Sequence, residues 1–111
     1  MNELVQKLAT GKHPVTVGGP QPSLAEFQKR VEDMGYVFIK FTETRGGTDL
    51  GVRVDKEATD LSQAHFAEGQ GLAHIEGTLT LNYVKVRCVA DIDLTTLKGM
   101  GCLIVLEEVH P

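Results

Sequence analysis

The chain has 111 residues, 41% of them hydrophobic and 23% charged, with a net charge of −4 and a pI near 5.5. A chain of this size holds a core without metal or disulfide staples, and its acidity excludes a general affinity for nucleic acid or anionic membranes, which need a basic face. No apolar run approaches the ~20 residues of a membrane span, and Met1-Asn-Glu-Leu-Val5 carries an acid and no cationic stretch, unlike a signal peptide. The expectation is a single cytoplasmic domain over residues 1–111, with no cofactor.

Leu4, Val5 and Leu8 stand at helical spacing, with Asn2 as N-cap and Gly11 as stop, which predicts a short helix within residues 3–10. His13-Pro-Val-Thr-Val17 reads as an edge strand, because proline lacks a ladder donor. Gly18 to Pro22 is a turn. Ser23 and Glu26 form a Ser-x-x-Glu capping box. Behind it Leu24, Phe27, Val31 and Met34 make one apolar stripe, and Gly35 closes the main helix.

Gly46-Gly47 sits between two alternating segments, residues 36–44 and 49–55, and Gly-Gly suits a primed two-residue turn. That turn pairs Phe41 with Val52, Ile39 with Val54, and Lys40 with Arg53. Residues 55–72 are polar, with Asp60–Phe66 a helical turn anchored by Leu61 and Phe66, and Glu68–Gly71 a loop.

Beyond residue 72 the pattern is all β. Apolar residues sit at odd positions through Leu81 and at even positions from Val84, so the phase flips at Asn82-Tyr83. A two-residue turn there pairs Leu81 with Val84, Leu79 with Val86, Ile75 with Ala90 and His74 with Asp91. A bulge in one long strand is the alternative. The strands are then 73–81, 84–94 and, after a connector over Thr95–Gly101, 102–109, whose continuous apolar run suggests a strand covered on both faces. The fold expected is α+β: one main amphipathic helix packed on an antiparallel sheet of about five strands, with a short N-terminal helix.

Chemistry is sparse. Cys88 and Cys102 lack the spacing of a zinc site or a redox motif and read as free thiols in apolar strands. His65, His74, Glu68 and Glu76 match no metal signature. Lys40 opposite Arg53 would be a pair of like charges, which repel across a ladder. With Thr42 beside them and Arg45 on the turn, Lys40, Thr42, Arg45 and Arg53 form the candidate ligand-binding set, suited to a carboxylate or phosphate. The leading expectation is a non-catalytic binding or accessory module for a partner protein or a small anionic ligand. One alternative is a small enzyme with its site at a homodimer interface, using His74 or His65 as base and Lys40 or Arg53 to hold an acid. A second is a self-associating structural protein.

Overall fold

The computed structural model describes residues 2–108. The elements run α1 (Glu3–Leu8), β1 (His13–Val17), α2 (Leu24–Lys29) continuing as a π-helical turn (Arg30–Met34), β2 (Tyr36–Phe41), β3 (Thr48–Val54), β4 (Ala64–His65), a 3-10 turn (Phe66–Glu68), β5 (Gln70–Leu81), β6 (Val84–Asp93) and β7 (Lys98–Glu108). This is α+β, with seven strands rather than about five. All strand pairs are antiparallel, in the order β3-β2-β1-β7-β6-β5-β4. A further antiparallel pairing of β3 with β5 closes the sheet on itself. Closure places one face of every long strand inside, and the inward residues form a continuous core that includes Val15, Val37, Ile39, Phe41, Val52, Ile75, Val86, Ile92 and Leu103.

The helices cover the two ends of this barrel. Asn2 caps α1 by accepting from the Leu4 and Val5 amides, and Val5 and Leu8 are buried. Lys7 Nζ donates to the Glu43 carbonyl in the β2–β3 loop, which holds α1 at that end. At the other end Ser23 caps α2, its hydroxyl accepting from the Glu26 amide. Phe27 is fully buried against Phe66, ring centroids 6.2 Å apart. The expected stripe holds through Phe27 and Val31, but Met34 is 51% exposed. The π-helical turn widens the spiral, so three residues beyond Val31 no longer return to the buried face. Gly35 then ends the helix at φ 66°.

The first hairpin departs from expectation in register. β2 and β3 pair Val37 with Val52, Ile39 with Leu50, Lys40 with Asp49 and Phe41 with Thr48. Each residue therefore meets a partner four positions from the expected one. The shift is even, so every side chain keeps its face. The tight turn is Thr44–Gly47, closed by the Gly47 amide on the Thr44 carbonyl at 2.9 Å, and Thr44 and Thr48 hydroxyls meet at 2.6 Å. Gly46 and Gly47 do take positive φ, 74° and 76°, but within a longer loop. The observed register sets Lys40 against an acid instead of against Arg53.

The second hairpin has the expected register along its whole length, from Leu81–Val84 at the turn to Leu72–Asp93. Asn82 and Tyr83 take φ 48° and 64°, the pattern of a primed turn.

Other elements differ from the sequence reading. β1 is not an edge strand: it lies between β2 and β7. Pro14 survives there because its backbone faces Thr42, whose amide donates to the Pro14 carbonyl, where the β1–β2 ladder ends; only that last rung loses a donor. Asp60–Phe66 is not helical. Asp60 bridges His74, β4 pairs with β5, and Leu61 and Phe66 pack on the core as anchors. Gly99 and Gly101 belong to β7 rather than to a connector, since a Cβ at Gly99 would collide with the Asp91 carbonyl. β7 is central in the sheet, yet only one face is covered: Leu103 is buried while Ile104 and Leu106 are each 48% exposed. Central position in a ladder buries edges, not faces. Residue 109, the expected end of that strand, lies outside the described residues.

Candidate functional site

The barrel closes over only two rungs, Arg53–Thr78 and Val54–Gly77. Gly77 allows that approach, because a Cβ there would meet the Arg53 carbonyl and, at 2.6 Å, Val52 Cγ1. Toward the β2–β3 loop the two strands part, leaving a crevice of about 580 Å³ lined by Tyr36, Asp49, Leu50, Gly51, Arg53, Thr78, Leu79, Thr80, Leu81 and Lys85. This volume lies within the ~300–1,000 Å³ of ordinary ligand sites.

The lining divides by strand alternation. Leu50 is buried and Leu79 and Leu81 are partly buried against the core, which makes an apolar floor. Outward residues make a polar rim. Tyr36 stands opposite Arg53, and its phenol lies across Gly51, where any Cβ would collide with the hydroxyl. Thr78 is the cross-strand neighbour of Arg53, and Thr80 is that of Lys85. Among the described residues, Arg53, Lys85, Thr78 and Thr80 make no side-chain hydrogen bond or ion pair, so these donors face solvent. Asp49, at the far end, is committed: it accepts from the Gly19 amide at 2.9 Å and faces Lys40. Tyr36 is steadied by an edge-on contact with Phe38, centroids 5.5 Å apart, and Phe38 in turn lies 4.9 Å under the Arg30 guanidinium.

The four residues singled out from sequence are not gathered into one place. Lys40, Thr42 and Arg45 surround the β2–β3 loop. Lys40 spans Gly47, the Thr42 amide donates to Pro14, and Arg45 is exposed at the tip. Arg53 pairs with Tyr36, four rungs along β2 from Lys40, or ~13 Å at strand rise. The Lys40–Arg53 adjacency is therefore corrected. Only Arg53 enters the crevice, where it is joined by Tyr36, Thr78, Thr80 and Lys85. Sequence reasoning missed these because nothing local signals that β3 meets β5; the second hairpin's register already set Thr80 beside Lys85.

A second polar cluster lies on the outer face of β5 and β6. His74 Nδ1 lies 2.8 Å from Asp91 and Nε2 lies 2.7 Å from Glu76. Arg87 joins Glu76 at 3.4 Å and Asp55 at 3.2 Å. The Glu76 and Asp91 carboxylates raise the His74 pKa, Glu76 most, and the Arg87 hydrogen bond lowers that of Asp55. With a carboxylate on each ring nitrogen, both nitrogens of His74 are already engaged within the protein and neither is turned to a ligand. His65 lies elsewhere, exposed on β4 beside a shallow basin with Gln63, Gln70 and Asp93. Among the described residues no three His, Cys, Asp or Glu side chains are grouped to hold a metal ion. Cys88 and Cys102 are both free, on opposite faces of the sheet, and burial pushes the Cys88 thiol up to about 12. No described helix is long and apolar enough to cross a membrane.

Neither the protein-family models nor the curated proteins contain a match to this chain.

Proposed function

We propose that this protein is a non-catalytic binding module that takes an anionic ligand in the crevice between β3 and β5. The observation that supports this most is the pair of uncommitted cations, Arg53 and Lys85, flanking the free hydroxyls of Thr78 and Thr80 above an apolar floor. A guanidinium and neighbouring hydroxyls suit a carboxylate or phosphate, and the leucines favour a ligand with an apolar part. The His74 cluster supports a structural role instead, since its histidine is saturated by acids.

The test is an amide-shift titration of the intact chain with citrate and with inorganic phosphate. Gly51, Thr78 and Thr80 are expected to move with citrate or phosphate. Arg53→Gln and Lys85→Gln are each expected to weaken binding by about tenfold without lowering the unfolding midpoint. Arg45→Gln, at the far loop, is expected to leave binding unchanged. Shifts confined to the Arg45 loop, or none at the crevice, would overturn the proposal.

A further inference from the structure

We infer that the occupant of the crevice is an extended peptide segment of alternating apolar and acidic residues, added as a strand to β3; this rests on the reading of the crevice as an anion site. The Val54 amide donates to Gly35 on the β2 side, and the Asp55 amide donates to Glu76 on the β5 side. In an antiparallel ladder successive residues alternate sides, so Asp55, Arg53, Gly51 and Asp49 turn their backbone groups away from β2. Arg53 is met by Thr78. Past that rung the strands separate, and Gly51 and Asp49 direct N–H and C=O groups into the crevice. An exposed run of ladder groups is a template for another strand.

The side chains around this edge specify the segment. A strand laid on β3 sends alternate side chains to opposite faces. One set falls over Leu50, Leu79 and Leu81 and must be apolar. The other falls on the outer rim, near Arg53, Thr78, Thr80 and Lys85, and is best acidic. Lys85 faces Glu107 across β7, so Arg53 is the stronger anchor. The open edge from Asp49 to Val52 spans ~10 Å, the length of about four residues of paired strand.

The probe is an end-blocked hexapeptide alternating valine and glutamate, offered to the intact protein. It is expected to slow amide exchange at Gly51 and Asp49 and to shift Thr78 and Thr80. The same peptide N-methylated at alternate positions keeps its side chains but loses ladder donors, and is expected to bind at least about tenfold more weakly. A valine–lysine hexapeptide is expected not to bind, and Arg53→Lys is expected to retain more affinity than Arg53→Gln. If citrate binds while the valine–glutamate peptide leaves Gly51 and Asp49 exchanging as before, the strand inference fails and the anion site stands. If neither binds, both fail. If Gly51 is protected without peptide and native mass spectrometry shows a dimer, the occupant is a second copy and the inference is overturned.

Discussion

The two hairpins of this barrel invert what their turns advertise. β2–β3 carries a Gly-Gly pair, among the most permissive of turn dipeptides, yet the glycines close a six-residue loop and the strands pair four positions away from a Gly-Gly turn. β5–β6 turns at Asn82-Tyr83, with an aromatic residue at φ 64°, yet holds the register drawn from its apolar pattern over ten rungs. Hydrophobic alternation fixes parity, the choice of face, and says nothing about even shifts. In the short hairpin an even shift replaces Lys40–Arg53 with Lys40–Asp49 and sets Ile39 against Leu50. In the long one the same shift would break many matches at once, including His74–Asp91. Strand length, more than turn chemistry, secures register here.

The largest way to break both hairpins together is Phe27→Ala. Phe27 is fully buried, with Phe66 beside it. Its loss is expected to cost about 3–5 kcal/mol, read as a lower midpoint in denaturant. Exchange protection is expected to fall equally in both hairpins. A loss confined to β2–β3 would show that the hairpins are separately stable.

Gly47→Val sharpens the contrast, because it acts on one loop. Gly47 sits at φ 76°, and a Cβ there would meet Lys40 Cε at 2.6 Å. The lysine can swing aside, but the β-branched residue resists positive φ, so a cost of about 1–3 kcal/mol is expected. An unchanged midpoint would mean that the loop relaxes into another turn.

Tyr83→Gly is the converse. Tyrosine in the left-handed region carries strain of about 1–2 kcal/mol, and Tyr83 is 65% exposed, so little packing is lost. Glycine relieves the strain at some entropic cost. A net gain of about 0.5–1 kcal/mol is expected in chemical unfolding; a loss would show that the Tyr83 ring holds the hairpin.

How much of this was legible in the residues follows from the same distinction. Caps and turns are local, so Asn2, Ser23, Gly35 and Asn82-Tyr83 announced themselves. Burial parity was readable in β2, β3, β5 and β6. Closure of β3 on β5 was not, because it depends on Gly77 lying where β3 crosses, a relation between segments over twenty residues apart. The crevice is a product of that closure, which explains why Arg53 was singled out with the wrong neighbour and Lys85, Thr78 and Tyr36 were passed over. The apolar run 102–106 misled for a related reason: composition does not reveal that β7 shows Ile104 and Leu106 to solvent.

The smallest effect concerns the ionic cluster that the second hairpin has and the first lacks. Glu76 and Asp91 take one His74 nitrogen each, and both bonds can be donated by histidine only when it is charged. Asp60 also acts on His74 through its charge, while Arg87 bridges Glu76 and Asp55 and so shares the Glu76 carboxylate with the histidine. The folded pKa is raised above the ordinary value of about 6.5. The stabilisation is therefore fully present below pH ~6.5 and fades as pH rises through the folded value. At roughly 31% side-chain exposure, solvent screening keeps it to at most about 1 kcal/mol. Unfolding free energies of wild type and His74→Gln, measured from pH 5.5 to 9, are expected to differ most at the acid end and to converge at the alkaline end. A gap that widens with pH would mean that His74 is neutral in the fold, and that the carboxylates hold it by one bond rather than two.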